Sequence, residues 1–132
     1  MEASIFTKIV NGEIPAYKVA EDDRFLAFLD VFPSAKGHTL VIPKQQTDYI
    51  FDLDDELYLG LMAFAKKVAK AVEQAVPCKR IGVAVVGLEV PHAHIHLIPL
   101  NKMQDMNFAS KLKFSKEAFE EVAEHIRSAY QL

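Results

Sequence analysis

The sequence predicts an α+β domain, an antiparallel sheet of about five strands with one long helix and a C-terminal helix against it. Three observations predict it. Short segments at 16–21, 24–30, 38–43, 80–88 and 88–100 are apolar or alternate with period two, as strands do. Leu57, Leu61, Phe64, Val68 and Val72 recur at three- and four-residue spacing, the apolar stripe of a long helix. Phe119, Val122, Ile126 and Tyr130 repeat that spacing near the C-terminal end. No repeat, linker or low-complexity stretch separates these segments, so residues 1–132 are read as a single domain. At that length a chain buries roughly two thirds of its unfolded surface.

In chain order, Ser4 caps a short helix running through Val10, and Asn11-Gly12 supplies a left-handed stop. Strands 16–21 and 24–30 follow, with Asp22-Asp23 at their turn. Phe25-Leu26-Ala27-Phe28-Leu29 is apolar on both faces, which predicts a strand covered on both sides. Residues 31–37 read as a loop, and 38–43 put His38, Leu40 and Ile42 on one face. Asp52 is the expected cap of the long helix, and Pro77 is its stop. Lys66, Lys67 and Lys70 fall off the apolar stripe and read as a solvated face. Residues 101–108 read as a loop, and the last helix opens near Ser115.

The bulk numbers exclude several functions. A net charge of −3 with 25% charged residues lacks the basic patch that a nucleic-acid partner calls for. One cysteine, Cys78, rules out an internal disulfide and a multi-cysteine zinc site, and fits a reducing compartment. Residues 1–8 have no secretory core, and the longest apolar run, 81–88, is far short of the roughly 20 residues that span a bilayer. A cytosolic protein without a membrane partner is expected.

Three of the five histidines, His92, His94 and His96, stand at alternate positions in Leu-Glu-Val-Pro-His-Ala-His-Ile-His-Leu-Ile-Pro-Leu, residues 88–100. On a strand this spacing puts the imidazoles on one accessible face, roughly 6–7 Å apart at about 3.3 Å per residue, and sends Ala93, Ile95 and Leu97 to the core. Pro91 and Pro99 bracket the segment. Three readings fit: tolerated surface histidines, a zinc site, or a catalytic chain in which one imidazole attacks while its neighbours hold and protonate. The zinc reading lacks a cysteine or carboxylate at an obvious ligand spacing.

Pro-His-Ala-His-Ile-His-Leu-Ile-Pro resembles the motif of the histidine triad family of nucleotide-binding hydrolases and transferases. Ser4-Ile5-Phe6-Thr7-Lys8-Ile9 and Gly37-His38-Thr39-Leu40-Val41-Ile42-Pro43-Lys44 match that family as well, in its order, from about Ser4 to Leu100. The resemblance implies the same α+β fold joined into a homodimer, with no cofactor and no metal. It makes His94 the nucleophile toward the α-phosphorus of a purine nucleotide conjugate, giving a nucleotidyl-histidine that water opens. It makes His96 the donor to phosphate or leaving group, His92 a brace and His38 a fourth histidine touching the cluster. Asp30 falls at the ribose position, where a carboxylate accepts from both hydroxyls, although capping the turn before Pro33 is its structural alternative. Phe6, Ile9, Phe28 and Leu40 fall at positions around the purine.

The chain departs from the family pattern just before the triad. The usual asparagine is absent, Leu88 stands where glutamine is common, and Glu89 takes a position often held by serine or threonine at the phosphate. The expected consequence is nucleotide binding with reduced turnover, down to a nucleotide-binding protein that turns over weakly or not at all.

Overall fold

The computed structural model describes residues 2–131. Ser4 caps α1 (Ile5–Val10) by accepting from the Thr7 N–H at 3.0 Å, and Gly12 follows with a φ of +79° that only glycine adopts freely. Strands β1 (Lys18–Glu21) and β2 (Phe25–Leu29) form the expected hairpin. Asp22 Oδ1 accepts the Arg24 and Phe25 N–H groups in its turn. Strand β3 (Thr39–Pro43), helix α2 (Asp55–Ala75), strands β4 (Arg80–Ala84) and β5 (Ile95–Leu100), and helix α3 (Lys116–Tyr130) complete the order. The five strands form one antiparallel sheet in the order β1-β2-β3-β5-β4.

Alternation along the strands divides the core in two. Phe25, Ala27, Leu29, Val41, Ile95 and Leu97 face α2 and α3, where they meet Leu61, Phe64, Val68, Val72, Val122 and Ile126. Leu26, Phe28, Leu40 and Ile42 face the other way and are covered by Phe6 and Ile9 of α1. All five residues of β2 are buried, as a strand apolar on both faces requires. No helix among the described residues is long and apolar enough to cross a membrane.

Four boundaries differ from the sequence reading. Asp54, not Asp52, caps α2, accepting the Leu57 N–H at 2.8 Å, because residues 50–52 form a separate 3-10 turn. Strand β4 ends at Ala84, leaving residues 85–88 irregular. Pro99 lies inside β5 opposite Ile81, past the point where β3 stops pairing with it, so its missing N–H breaks no β3 ladder bond. Residues Met103–Met106 form a 3-10 turn inside the expected loop.

Candidate functional site

The triad segment is not one strand. Strand β5 starts at Ile95, so His92 and His94 lie on irregular backbone and only His96 is a sheet residue. His96 pairs with Leu40, which places it on the α1 face of the sheet. The chain departs from the ladder because Ala93 N–H donates to Thr47 O at 2.6 Å and His92 N–H donates to Val90 O at 2.8 Å. The sequence expectation of an accessible face is also corrected: His92 is 0% exposed, His94 6%, His96 8% and His38 1%. Helix α1 covers one end of the row and the segment after β5 covers the other.

Hydrogen bonds fix a tautomer at each ring. The Pro43 carbonyl can only accept, so His92 Nε2 donates to it at 2.7 Å and Nδ1 takes the Ser4 hydroxyl at 2.8 Å. Ser4 is held in turn by Gln46, whose Oε1 accepts from the Ser4 N–H at 2.8 Å and from Thr7 Oγ1 at 2.7 Å. His94 Nδ1 donates to the His92 carbonyl at 2.7 Å, which leaves Nε2 with a free lone pair. At His38 the Ser34 N–H can only donate, so Nδ1 accepts at 3.0 Å and Nε2 carries the proton. That proton reaches His96 Nδ1 at 2.9 Å, leaving the His96 proton on Nε2. Gly37 shapes this turn: its φ is +88°, and a Cβ there would meet Val76 at 2.8 Å.

Burial holds His38, His92 and His96 neutral. Desolvation pushes His38 down to about 4, against the pull of the Asp30 carboxylate. It pushes His96 down to about 3, helped by the neighbouring His38 and His94. His92 is lowered too, chiefly by burial, with its bond to the Pro43 carbonyl opposing. The row therefore offers a bare nitrogen at His94 beside a proton-bearing nitrogen at His96, with their ring centroids 5.0 Å apart. This is the pairing that covalent transfer with proton donation to a leaving group uses.

Asp30 caps the turn, as its structural alternative expects. Its Oδ1 accepts the Phe32 N–H at 2.8 Å, capping the turn, while Oδ2 lies 3.6 Å from His38 Nε2. Asp30, His38 and His96 bring potential metal-ligand atoms within 4.8 Å of one another. A cation there would have to displace the proton between His38 and His96, because His38 Nδ1 is already committed to the Ser34 N–H. Phe6, Ile9, Phe28 and Leu40 come together in one buried cluster, and the Phe6 ring stands edge-on to His94 at 5.0 Å and to His92 at 5.8 Å. Glu89 is exposed, and no hydrogen bond or ion pair among the described residues joins it to the imidazoles.

Several participants escaped the sequence reading. Ser4 was legible as a cap but not as the partner of His92, 88 positions away. Ser34, Pro43 and His92 act through backbone groups, which carry no sequence signal. Phe108 sits in the segment read as a loop, yet its ring packs against His96 at 4.7 Å and His38 at 6.2 Å.

A model of the HIT domain family matches residues 11–103. The adenosine 5'-monophosphoramidase of Schizosaccharomyces pombe is 42% identical over 97 residues, 72% of each chain. A crystal structure of a HIT-like protein from Bartonella henselae is 37% identical, with a TM-score of 0.84 over 96% of this chain and 95% of that one. A zinc-bound histidine triad family protein from Mycobacterium smegmatis is 29% identical, with a TM-score of 0.81 over 98% and 94%.

Proposed function

This chain belongs to the HIT domain family, and from that premise we propose that it hydrolyses purine nucleoside phosphoramidates or related nucleotide conjugates through an intermediate on His94. The observation that carries the reading is the tautomer chain, a bare His94 Nε2 beside a protonated His96 Nε2. The phosphoramidase name of a 42% identical relative points to the same chemistry.

In the first step the His94 Nε2 lone pair bonds to the α-phosphorus. The P–N bond to the amine breaks, its electron pair stays on the amine nitrogen, and that nitrogen takes the Nε2 proton of His96, which has bound a second proton along with the anionic substrate and so is left neutral. In the second step water attacks the phosphorus and gives a proton to His96 Nε2, while the electron pair of the P–Nε2 bond returns to His94. The sum is phosphoramidate plus water giving nucleoside monophosphate plus amine. An anionic phosphoryl group beside His96 raises its proton affinity against the burial that lowers it. His92 and Ser4 brace the ring of His94, and His38 holds the His96 tautomer. Asp30 Oδ2 is the ribose acceptor, and Phe6, Ile9, Phe28 and Leu40 surround the base.

A second reading, nucleotide binding with weak turnover, draws on the absent asparagine and glutamine and on the exposed Glu89, which brings no donor to the phosphate. One lost transition-state donor costs some hundredfold or more in rate. A panel of adenylate and guanylate phosphoramidates, with AMP and GMP binding measured in parallel, separates the two. Turnover with a trapped nucleotide on His94 supports the first, and micromolar binding without turnover supports the second. A nucleotide trapped on His92 or His96 refutes the assignment of the nucleophile.

The reading includes a homodimer through the open edge at β4. Val83, Val85, Val86 and Leu88 are all exposed there, an apolar edge that invites pairing. The expected scattering mass at micromolar concentration is twice 14.8 kDa, falling to one chain in Val83→Asp; a wild-type mass of one chain overturns it.

A further inference from the structure

At the Phe6 end of the imidazole row, residues 92–94 lie off the ladder, so sheet pairing does not fix their backbone. The His92 carbonyl, which keeps the His94 proton on Nδ1, needs other fastening. Residues 43–47, the end of β3 and the turn after it, supply that fastening. The Pro43 and Thr47 carbonyls accept from His92 Nε2 at 2.7 Å and from the Ala93 N–H at 2.6 Å. Between them Gln46 is half-buried and acts through its side chain. Its Oε1 accepts from the Ser4 N–H at 2.8 Å and from the Thr7 hydroxyl at 2.7 Å, and its Nε2 donates to the Glu2 carbonyl at 3.0 Å. The amide cannot be turned round, because a backbone N–H only donates and a carbonyl only accepts.

Two hydroxyls stand near the one bare nitrogen of His92. Ser4 Oγ is 2.8 Å from Nδ1 and Thr7 Oγ1 is 3.4 Å from it. Each hydroxyl has one proton, and Nδ1 has one lone pair. Thr7 gives its proton to Gln46, so the proton that reaches His92 comes from Ser4. We propose that Gln46 is a positioning residue for the reaction: by taking the Thr7 proton it leaves His92 Nδ1 to Ser4, and the ring so held keeps the His92 carbonyl on His94. The proposal rests on the reading above, in which His94 Nε2 attacks. Without Gln46 the Thr7 hydroxyl competes for Nδ1, the Ser4 N–H loses its acceptor, and the His92 residue is free to shift. A His94 ring released by that carbonyl samples both tautomers, and the one protonated on Nε2 presents no lone pair to phosphorus.

Nitrogen-15 spectra of histidine-labelled protein read the tautomers, and turnover of adenosine 5'-phosphoramidate reads their consequence. Wild-type protein is expected to show His94 protonated on Nδ1 and His92 on Nε2. Gln46→Leu is expected to bring the Nε2-protonated form of His94 into exchange. Its kcat is expected to fall about tenfold with KM little changed, short of the roughly hundredfold that misplacing a reacting group by about 1 Å costs. Gln46→Glu keeps an oxygen for both donors and is expected to restore most of the rate. Thr7→Val, which removes the competing hydroxyl, is expected to return part of the rate to Gln46→Leu while lowering it slightly on its own, the non-additivity of a shared circuit. Gln45→Ala, at the exposed neighbour, is expected to change nothing. A tautomer shift in Gln46→Leu without wild-type turnover sustains the positioning role and sinks the hydrolase reading. Wild-type turnover whose kcat Gln46→Leu leaves unchanged overturns the role and leaves the hydrolase reading standing. So does any loss of rate, affinity or stability with wild-type tautomers, which is what a purely structural docking of α1 gives.

Discussion

The two ends of the imidazole row are built on opposite principles. At the Phe6 end, a capped helix packs onto two central strands, and Phe6, Ile9, Phe28 and Leu40 are each no more than 6% exposed. At the Phe108 end, an irregular segment with mostly exposed side chains is held by two hydrogen bonds and by the contacts of the Phe108 ring with His96 and His38. The first end is part of the core, so any change there is also a change in stability. The second is attached to the core and can vary without unfolding it. The difference teaches where the site can change without unfolding the chain. The proposed base pocket is part of the core itself, whereas the Phe108 segment costs the fold little.

The largest expected effect lies between the two ends. His94→Ala and His94→Gly are each expected to lower turnover at least about a thousandfold, as loss of a covalent nucleophile does. Because His94 is nearly buried, both are also expected to lose some stability, about 1–3 kcal/mol, from the unpaired His92 carbonyl. Single-turnover kinetics and denaturant unfolding measure the two losses, and residual turnover near wild type would remove His94 from its role.

The next prediction breaks or upholds the comparison directly. Phe6→Ala removes a ring packed in the core and is expected to cost about 3–5 kcal/mol. Phe108→Ala, at a half-exposed ring on a pinned segment, is expected to cost under about 1 kcal/mol. Equal shifts of the urea midpoint in the two variants would show that both ends are core.

Acid probes the Phe108 end. His38 and His96 titrate near 6.5 when unfolded but at about 4 and about 3 when folded, so the unfolded chain binds more protons between those values. Stability is therefore full above pH 6.5 and is lost as pH falls toward 4, by up to about 1.4 kcal/mol per pH unit for each ring. Urea midpoints across that range are expected to fall with acid, and less steeply in His38→Gln. A flat profile would mean that these rings are not held neutral.

The smallest expected effect is none at all. Turnover is expected to survive chelation, since His94 and His96 supply nucleophile and donor themselves, whereas a metal hydrolase loses its activated water with its ion. Loss on chelation with recovery on added zinc would make Asp30, His38 and His96 a metal centre and replace the proton chain between the two histidines.

Much of this molecule was legible before folding. The caps at Ser4 and Ser115, the hairpin at Asp22, the doubly covered β2 and the stripes of α2 and α3 all follow from local chemistry and period. The triad's period of two predicted that Ala93, Ile95 and Leu97 enter the core, and they do. It failed for the imidazoles themselves, because backbone bonds to Val90 and Thr47 take residues 92 and 93 off the ladder. A period fixes which side chains alternate, not whether the backbone carrying them is paired.

By itself the sequence determined the family, the α+β architecture and the set of residue types at the site, because motif spacing and amphipathic period are local properties of the chain. Only the tertiary structure decided the protonation pattern. The tautomers of His92, His94 and His38 are set by the carbonyls of Pro43 and His92 and by the N–H of Ser34. Every residue carries such backbone groups, so nothing in the sequence marks the ones that matter. The closure of the site at Ser4 and Phe108 was likewise decided in three dimensions. Their contacts with His92 and His38 join positions 88 and 70 apart, and such pairs meet only once the sheet has brought both ends of the chain to one face.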